Sequence, residues 1–484
     1  MNLLDFAGQN VFYNSHQFFL TRKSIYFLVF NANSLDFTSN ISYWLKTLSN
    51  QIQGRPLPNV FLIGTHIDEI PEENREASME KIKKELSNFC KSLKHTINIK
   101  GISLICSTKR QDVDYLKEQL TDFIIEQKIH LQQIPTFFEK MRKQVEEKKK
   151  TYSFPVLLFD TFSQKYSNYE DAIIKIHYPE DIIRKAINYL NEMGTIIYID
   201  TPQLRDWIIL DPRWLANRMA DIISFKTNFP KGIIPQNFIE KIWTDSLSSN
   251  EKSLLLDLFE RFEIIFKKSS TQEYIIPSML PTKPNGDITQ EVKKQTKYKR
   301  IFLFKFIPIG FFSRLIVFLL HQNNIESVHI WKTGVILKRK DAVAMIEESG
   351  ISGNQTEIRI YCSKDNLDSS EKKEFSEPLI QKIIGALDNF ISTFFNKDTY
   401  NNIAHKVIYK SFSINYSSCI EAFVNGKDVI SVEGHDINLH DIVPDVTLSF
   451  LPILKDITIE KELGKGGFGI VYLGSNSKGK KVKN

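Results

Sequence analysis

Asp5, Gly8 and Gln9, near the start of the chain, follow the order Asp-x-x-Gly-Gln and are residue types that can act on a nucleotide phosphate. A carboxylate in that position can hold Mg²⁺ through water, and a glycine can offer its backbone N–H to a γ-phosphate because no side chain intervenes. The adjacent glutamine can orient an attacking water molecule. The three residues therefore predict the phosphate side of a nucleotide-hydrolysing site.

Two further polar groups follow apolar runs. Thr65, His66 and Asp68 come after the run at 59–64, and Ser107–Lys109 comes after the run at 102–106. Apolar runs alternate with helical patterns over residues 1–130, which is typical of a parallel α/β sheet whose ligands bind at the carboxyl ends of the strands. A carboxylate there can accept two hydrogen bonds from the ring N–H and exocyclic amine of guanine, a pair that adenine lacks. The pattern therefore predicts selection of a guanine nucleotide.

Composition excludes several classes of protein. The chain has 484 residues, and 63 basic and 57 acidic residues give it a net charge of +6, which is too weak over this length to indicate nucleic-acid binding. Its four cysteines are far apart, which argues against structural zinc or a disulfide framework and favours a reducing compartment. The N-terminus has no basic start followed by an apolar core, so no signal peptide is predicted.

One apolar segment, Ile301–His321, has the length of a membrane span. Lys305 and Arg314 would lie inside the bilayer, and Pro308 would interrupt the helix. A buried strand followed by a buried helix is the better interpretation, and no integral membrane segment is expected.

The middle of the chain changes character twice. Residues 131–281 combine helical patterns, a capping-box pattern at Ser248–Glu251 and a hairpin pattern at 266–277, which together predict a winged-helix-like unit. A polar, basic stretch at 282–300 marks a boundary. Residues 298–455 then alternate strand patterns with an amphipathic helix at 379–391, which predicts an α+β domain.

A glycine-rich stretch begins near the end of the chain. A strand pattern at 457–463 precedes Gly-Lys-Gly-Gly-Phe-Gly-Ile-Val at 464–471. A dinucleotide-binding motif of this kind opens a helix, whereas the β-branched residues here continue as a strand. With its phenylalanine and valine, the stretch resembles the glycine-rich loop of a protein kinase, in which the backbone covers the phosphates of ATP.

The motifs together resemble the Roco family, in which a Roc GTPase domain precedes a COR domain and, in the leucine-rich-repeat kinases and many amoebal members, a protein kinase domain. The resemblance to Roc rests on the stretches beginning at Asp5, Tyr13, Tyr26, Tyr43 and Gly64. The resemblance to COR rests on Leu210-Asp-Pro-Arg-Trp-Leu, Tyr274-Ile-Ile-Pro-Ser-Met-Leu-Pro, Ile309-Gly-Phe-Phe-Ser-Arg-Leu-Ile and Val443-Pro-Asp.

The resemblance implies four parts: a partial Roc domain at 1–130 starting at switch II, the two halves of COR at 131–281 and 298–455, and the start of a kinase domain at 456–484. It implies GTP binding through Asp5, Gly8, Thr65, His66, Asp68, Ser107, Thr108 and Lys109, with Mg²⁺ held by Asp5 through water and Gln9 positioning water. It implies ATP binding, again with Mg²⁺, through Leu463, Gly464, Gly466, Gly467, Phe468, Gly469 and Val471.

The 484 residues contain no Gly-x-x-x-x-Gly-Lys-Ser/Thr phosphate loop. A near match at 474–481 has lysine in place of the magnesium-binding hydroxyl. It also does not follow the kind of secondary-structure element that precedes a phosphate loop. The central strand of a Ras-like sheet would precede the loop, so the apolar run at 24–31, which otherwise predicts a strand buried on both faces, is expected to have a free edge. No kinase catalytic loop follows the glycine-rich stretch. The chain is therefore expected to be a piece of a longer protein and to be inactive alone.

Two functions follow from these expectations. The first is a GTP-regulated serine/threonine or dual-specificity kinase that dimerises through COR and phosphorylates protein substrates. The alternative is a non-enzymatic COR scaffold with degenerate flanking domains. Either protein is expected in the cytoplasm, and peripheral attachment to a membrane is the alternative location.

Overall fold

The computed structural model describes residues 4–5, 17–21, 23–34, 37–52, 57–91, 97–126, 134–166, 168–171, 174–224, 228–229, 231–243, 246–268, 271–284, 288–308, 310–322, 326–340, 342–352, 355–363, 378–395, 397–446, 457–466, 469–476 and 481–483. The chain divides into two compact units. One contains residues 1–223 and 241–255, and the other contains residues 224–240 and 256–484.

The first unit begins with a parallel sheet, which in the described part of the chain has the order β1–β2–β3. Its strands are β1 (Ile25–Asn31), β2 (Asn59–Thr65) and β3 (Asn98–Leu104). The helices that alternate with them are α1 (Phe37–Gln51), α2 (Glu72–Lys91) and α3 (Arg110–Glu126). The predicted parallel α/β arrangement is confirmed.

The helices cover the sheet with apolar residues that recur along one helix face. Ile41, Leu45 and Leu48 recur every three or four residues along α1, and each is at most 2% exposed. Their side chains belong to the same apolar core as alternate residues of the strands. Phe123 of α3 packs edge-on against Phe61 of β2, with ring centroids 5.1 Å apart. Packing of the helices against the sheet holds the ends of β2 and β3 in place, and with them the two loops that follow these strands.

The prediction that β1 is buried on both faces is wrong. Phe30 is buried, but Phe27 and Val29 are 37% and 64% exposed. Within the described residues, β1 pairs only with β2 and forms an edge of the sheet. An edge strand lacks a neighbour on one side, so an apolar run at that position does not receive the cover that a central parallel strand receives.

Replacing Val29 with lysine is expected to reduce self-association of the chain without destabilising its fold. The side chain is largely exposed, so the unfolding free energy should change by no more than about 0.5 kcal/mol. A charge on an edge strand opposes pairing with another chain. Light scattering during slow heating provides the measurement. Val113→Lys, an exposed valine in helix α3, is the control and should leave the aggregation rate unchanged. Equal effects of the two variants would contradict the prediction.

The rest of the first unit is mainly helical. Its helices include α4 (Thr136–Lys148), α5 (Phe159–Tyr166), α6 (Glu180–Glu192) and α7 (Pro212–Ser224), and its strands include β4 (Val156–Leu158), β5 (Asn168–Asp171), β6 (Ile174–His177), β7 (Ile197–Tyr198) and β8 (Trp207–Ile209). The strands β4, β8 and β7 form an antiparallel sheet. Met141 and Val145 of α4 share a core with Ile183 and Ile187 of α6.

The predicted capping box and hairpin are both present. The helices α8 (Gln236–Ile239) and α9 (Ser249–Arg261) come before the hairpin, and the strands are β9 (Ile233–Pro235), β10 (Phe266–Lys268) and β11 (Glu273–Ile275). Before α9, the Ser248 backbone N–H donates to a Glu251 carboxylate oxygen at 2.8 Å, and the Glu251 N–H donates to Ser248 Oγ at 3.4 Å. The hairpin β10–β11 pairs with β9 in an antiparallel sheet.

The second unit is built around a sheet that runs β13–β14–β15–β16–β12–β17–β18 through the described residues. Its strands are β12 (Tyr298–Phe304), β13 (Glu326–Trp331), β14 (Gly334–Arg339), β15 (Ala342–Ser352), β16 (Gln355–Cys362), β17 (Ala404–Tyr409) and β18 (Phe412–Asn415). The accompanying helices are α10 (Ile288–Lys294), α11 (Phe311–Leu320), α12 (Leu379–Phe394), α13 (Lys397–Asn401), α14 (Tyr416–Val424) and α15 (Leu439–Ile442). A small hairpin of β19 (Val429–Val432) and β20 (His435–Asn438) follows α14.

The segment 301–321 has the predicted form. It contains the end of β12 and all of α11, and Phe311 of α11 is fully buried among the rings of Phe304, Phe390 and Phe395. No helix of the described chain is long and apolar enough to cross a membrane. The predicted α+β character of this region is confirmed.

The last described elements are the antiparallel strands β21 (Ile457–Gly466), β22 (Gly469–Asn476) and β23 (Lys481–Lys483). The glycine-rich stretch continues as a strand from Gly469, as predicted. The near match to a phosphate loop at 474–481 runs from one strand to another, whereas a phosphate loop leads into a helix.

Candidate functional site

The loops that leave β2 and β3 lie side by side at the carboxyl edge of the parallel sheet. Gly64 of β2 is in register with Leu104 of β3, and the Ile105 N–H extends the ladder by donating to Gly64 O at 2.8 Å. The residues that follow each strand therefore emerge together. This is the position at which parallel α/β sheets bind ligands.

Thr65 and His66 shape the first of these loops. Thr65 Oγ1 donates to Phe30 O at 3.1 Å, so its hydroxyl can accept from Nδ1 of His66, 2.9 Å away. His66 has the left-handed conformation (φ 61°, ψ 29°), one that histidine adopts more readily than most residues. The turn directs the chain into the short 3₁₀ helix Ile67–Glu69, and the His66 side chain remains exposed.

Asp68, the predicted guanine-reading carboxylate, is exposed at the tip of this loop. The pKa of Asp68 lies below its ordinary value, first because the Cys106 side chain hydrogen-bonds to it and then because of its own backbone N–H. The charges of His66 and Lys109 lower the pKa further. Asp68 is therefore held as an ionised acceptor, which is the form that can receive two hydrogen bonds from guanine.

Two residues that sequence reasoning missed hold these loops. Arg75 of α2 donates from Nε to Ile67 O at 3.0 Å and from Nη2 to Ile70 O at 3.0 Å, which clamps the first loop from behind. Asp112 of α3 accepts the Cys106 backbone N–H at 2.8 Å and anchors the second loop. The sequence carried little signal for them, because each resembles an ordinary solvated charge on a helix.

The other predicted residues of the guanine site have different outcomes. Ser107, Thr108 and Lys109 lie in the second loop and are exposed, with Thr108 Oγ1 3.0 Å from Cys106 Sγ. Asp5 is exposed and lies outside any helix or strand. Gly8 and Gln9 lie outside the described residues. The structure thus brings together residues 65–68 and 107–109, which are predicted to contact the base, and the residues assigned to the phosphates remain a prediction.

The predicted ATP residues lie on the hairpin β21–β22. Leu463, Gly464 and Gly466 belong to β21, and Gly469 and Val471 belong to β22, with Gly464 in register with Val471. Gly467 and Phe468 lie outside the described residues. Among the described residues, no cluster of His, Cys, Asp and Glu is arranged to bind a metal ion.

Three protein-family models match consecutive parts of the chain. Residues 1–68 match "Ras of Complex, Roc, domain of DAPkinase", residues 135–280 match the C-terminal-of-Roc COR-A domain, and residues 295–445 match the COR-B domain. Together the matches account for most of the chain.

Similar curated proteins come from Dictyostelium discoideum. The chain is 26% identical to "Probable serine/threonine-protein kinase pats1" over 98% of its own length and 15% of that protein. It is also 26% identical to "Cyclic GMP-binding protein C", over 97% of its own length and 19% of that protein. The chain thus spans less than a fifth of each of these two relatives.

Among solved structures, the chain is similar to the RocCORdC fragment of Methanosarcina barkeri Roco2 bound to GDP. The sequence identity is 20% and the TM-score is 0.39, over 57% of this chain and 79% of that one. The order of the three matched domain models, Roc followed by COR-A and COR-B, shows that the chain belongs to the Roco family.

Proposed function

We propose that this chain is the Roc–COR part of a GTP-regulated protein kinase, together with the first strands of the kinase domain. In the complete protein, Roc binds and hydrolyses GTP, COR mediates dimerisation, and the kinase transfers phosphate from ATP to serine or threonine of a protein substrate. The juxtaposition of Thr65–Asp68 and Cys106–Lys109 at the carboxyl ends of adjacent parallel strands is the observation that supports guanine recognition most strongly.

The role proposed for each residue follows from the chemistry of its side chain. Asp68 reads the ring N–H and the exocyclic amine of guanine, and the exposed His66 lies along the base. Ser107–Lys109 close the opposite side of the base. Asp5, Gly8 and Gln9 serve the phosphate side, where Asp5 contacts Mg²⁺ through water. A Mg²⁺ ion held there would supply positive charge next to the phosphates.

The kinase role has separate support. The antiparallel strands 457–466 and 469–476 suit a hairpin that lays its backbone over ATP phosphates, and Gly464, Gly466 and Gly469 of these strands are assigned to the phosphates. Leu463 and Val471 are assigned to the adenine ring. The similarity to a Dictyostelium protein named as a serine/threonine kinase favours the same role.

The purified 484-residue chain is expected to bind GTP negligibly, because its sequence has no phosphate loop to contribute a lysine and a magnesium-binding hydroxyl. Isothermal titration calorimetry with Mg²⁺ and GTP is the measurement. Micromolar affinity would contradict the expectation and would require another phosphate site within these residues.

Transcript ends mapped by RACE separate the kinase from the alternative, a COR scaffold without enzymatic activity. Upstream codons for a phosphate loop and downstream codons for the remaining kinase motifs would support the GTP-regulated kinase. A capped start at Met1 with a stop after Asn484 would support the scaffold. The kinase and the scaffold both require dimerisation through COR. Multi-angle light scattering of the chain tests for this dimer at concentrations on the order of tens of micromolar.

A further inference from the structure

We propose that two contacts form a conformational latch, which holds the end of helix α9 and the hairpin β10–β11 against helix α11 and closes more tightly when His321 is protonated. The first contact joins Glu263 to Arg314, and the second joins Glu260 to His321. All four residues belong to the second unit. The two glutamates lie in the region that matches COR-A, and their partners lie in the region that matches COR-B. The latch therefore connects the two matched regions, and it needs no bound nucleotide.

The backbone at Glu263 places the first carboxylate. Glu263 follows the end of α9 and has a φ of 58°, in the left-handed region where a helix usually ends on glycine. The Ile264 N–H donates to Phe259 O at 3.0 Å, and the Glu263 N–H donates to Glu260 O at 2.9 Å, which is the hydrogen-bond pattern of that kind of helix end. Glycine would form this turn with less strain. The turn alone therefore does not account for a glutamate, whereas a contact made by its side chain does.

The Glu263 side chain reaches helix α11. Arg314 Nε donates to Glu263 Oε2 at 2.5 Å, and the Arg314 guanidinium lies over the ring of Phe394, 5.2 Å from the ring centroid. The contact with Phe394 of α12 holds the guanidinium in place from the other side. The Arg314 and Glu263 side chains are 31% and 23% exposed, so solvent screens this ion pair only in part.

His321, directly after α11, makes the second contact in a way that depends on its protonation. Nδ1 of His321 lies 2.8 Å from Val317 O, and because a carbonyl oxygen can only accept, Nδ1 carries a proton. Nε2 then faces Glu260 Oε1 at 3.5 Å. In the neutral ring Nε2 offers a lone pair to the carboxylate, whereas in the charged ring Nε2–H donates to it. Protonation of His321 therefore strengthens the contact.

The surroundings of His321 favour its charged form. Other charged or titratable groups of the same region are Glu263 after α9, Lys267 and Tyr274 on the hairpin, and Arg314 on α11. The Lys267 N–H donates to Glu260 Oε1 at 3.2 Å and keeps this carboxylate in place. The hydrogen bond with Glu260 raises the pKa of His321 although partial burial opposes the shift. The contact is thus strongest below the unfolded pKa and weakens as pH rises through the raised folded value.

A plainer explanation is that apolar packing alone holds the hairpin. Ile275 of β11 shares an apolar core with Leu315 of α11, and Phe266 of β10 packs against this core. Such packing predicts no response of the hairpin to the Glu263 charge or to protonation of His321. Opening of the hairpin in variants at these two positions separates the two explanations.

Hydrogen exchange of the full chain, followed by mass spectrometry over residues 262–277, measures this opening. Glu263→Gln and Glu263→Gly are each expected to raise the exchange rate there about two- to fivefold, while strand β12 keeps its rate. Glu263→Gly separates the latch from the turn, because glycine relieves the backbone conformation and removes the carboxylate. Asp257→Asn, which breaks an exposed ion pair with Arg261 within α9, is the control and should leave the rate unchanged. Unchanged exchange at 262–277 in both Glu263 variants would overturn the proposal.

Exchange at pH 6 and pH 8, corrected for the intrinsic chemical rate, tests the part played by His321. Relative to His321→Gln, the unmodified chain is expected to show about twofold slower exchange at 262–277 on going from pH 8 to pH 6. Glutamine does not titrate, so the variant keeps every pH effect except that of His321. Equal pH responses of the hairpin in the two proteins would overturn the proposed role of His321 in the latch.

Discussion

Replacing Arg300 with methionine is expected to lower the unfolding free energy of the second unit by about 3–5 kcal/mol. The Arg300 guanidinium lies 2.7 Å from a carboxylate oxygen of Asp445, and the two side chains are 1% and 3% exposed. The Tyr416 hydroxyl donates to the other Asp445 oxygen, also at 2.7 Å. Without Arg300, the Asp445 carboxylate would remain buried with its charge uncompensated, which costs several kcal/mol.

Urea unfolding, followed by hydrogen exchange in β17 and α14, would measure this loss within the second unit. Arg261→Met is the matched control, because Arg261 pairs with Asp257 at 2.9 Å with both side chains at least 40% exposed. The control should cost less than about 1 kcal/mol. The double variant Arg300→Met with Asp445→Leu should recover part of the loss, since it removes the orphaned charge. Equal losses in Arg300→Met and Arg261→Met would refute the account.

Sequence reasoning succeeded where the determining signal is local. The residues that make 301–321 a strand and a buried helix lie within that segment, and the capping box at Ser248–Glu251 spans a single turn. The Arg300–Asp445 pair joins positions 145 residues apart. Nothing near either residue identifies the other as its partner, so only the fold identifies the pair.

The candidate site shows the same limit. The alternation of strands and helices sufficed to predict that the loops after β2 and β3 would meet, because parallel strands place their carboxyl ends at one edge. The sequence did not indicate which side chains hold the two loops, because Arg75 and Asp112 resemble ordinary charges on helices. The sequence predicted a free edge for this strand, but the exposure of Val29 was missed because an apolar run does not reveal which of its side chains the helices leave uncovered.

The stability of the second unit is expected to fall as the pH drops below about 6.5, and His405 is expected to contribute to this fall. Its ring is 3% exposed and stacks between Phe302 and Tyr416, with centroids 4.1 and 4.0 Å away. Burial, and then the nearby Arg300 charge, hold the pKa of His405 well below its ordinary value. Folded His405 therefore stays neutral while the unfolded histidine becomes protonated, so acid favours unfolding.

The expected slope is about 1.4 kcal/mol per pH unit below pH 6.5, or about 2 kcal/mol between pH 7 and pH 5. Carboxylates also titrate in acid, so the test compares His405→Phe with the unmodified chain by urea unfolding at both values. The variant keeps a ring in the stack and should lose about 2 kcal/mol less stability on acidification.

His321 provides a control of opposite sign, because its hydrogen bond with Glu260 raises the pKa of His321. Its contribution is present below the unfolded pKa and is lost as pH rises through the raised value, so His321→Gln should slightly increase the acid sensitivity. Equal acid sensitivity in His405→Phe and the unmodified chain would mean that folded His405 also accepts a proton, which burial beside Arg300 should prevent.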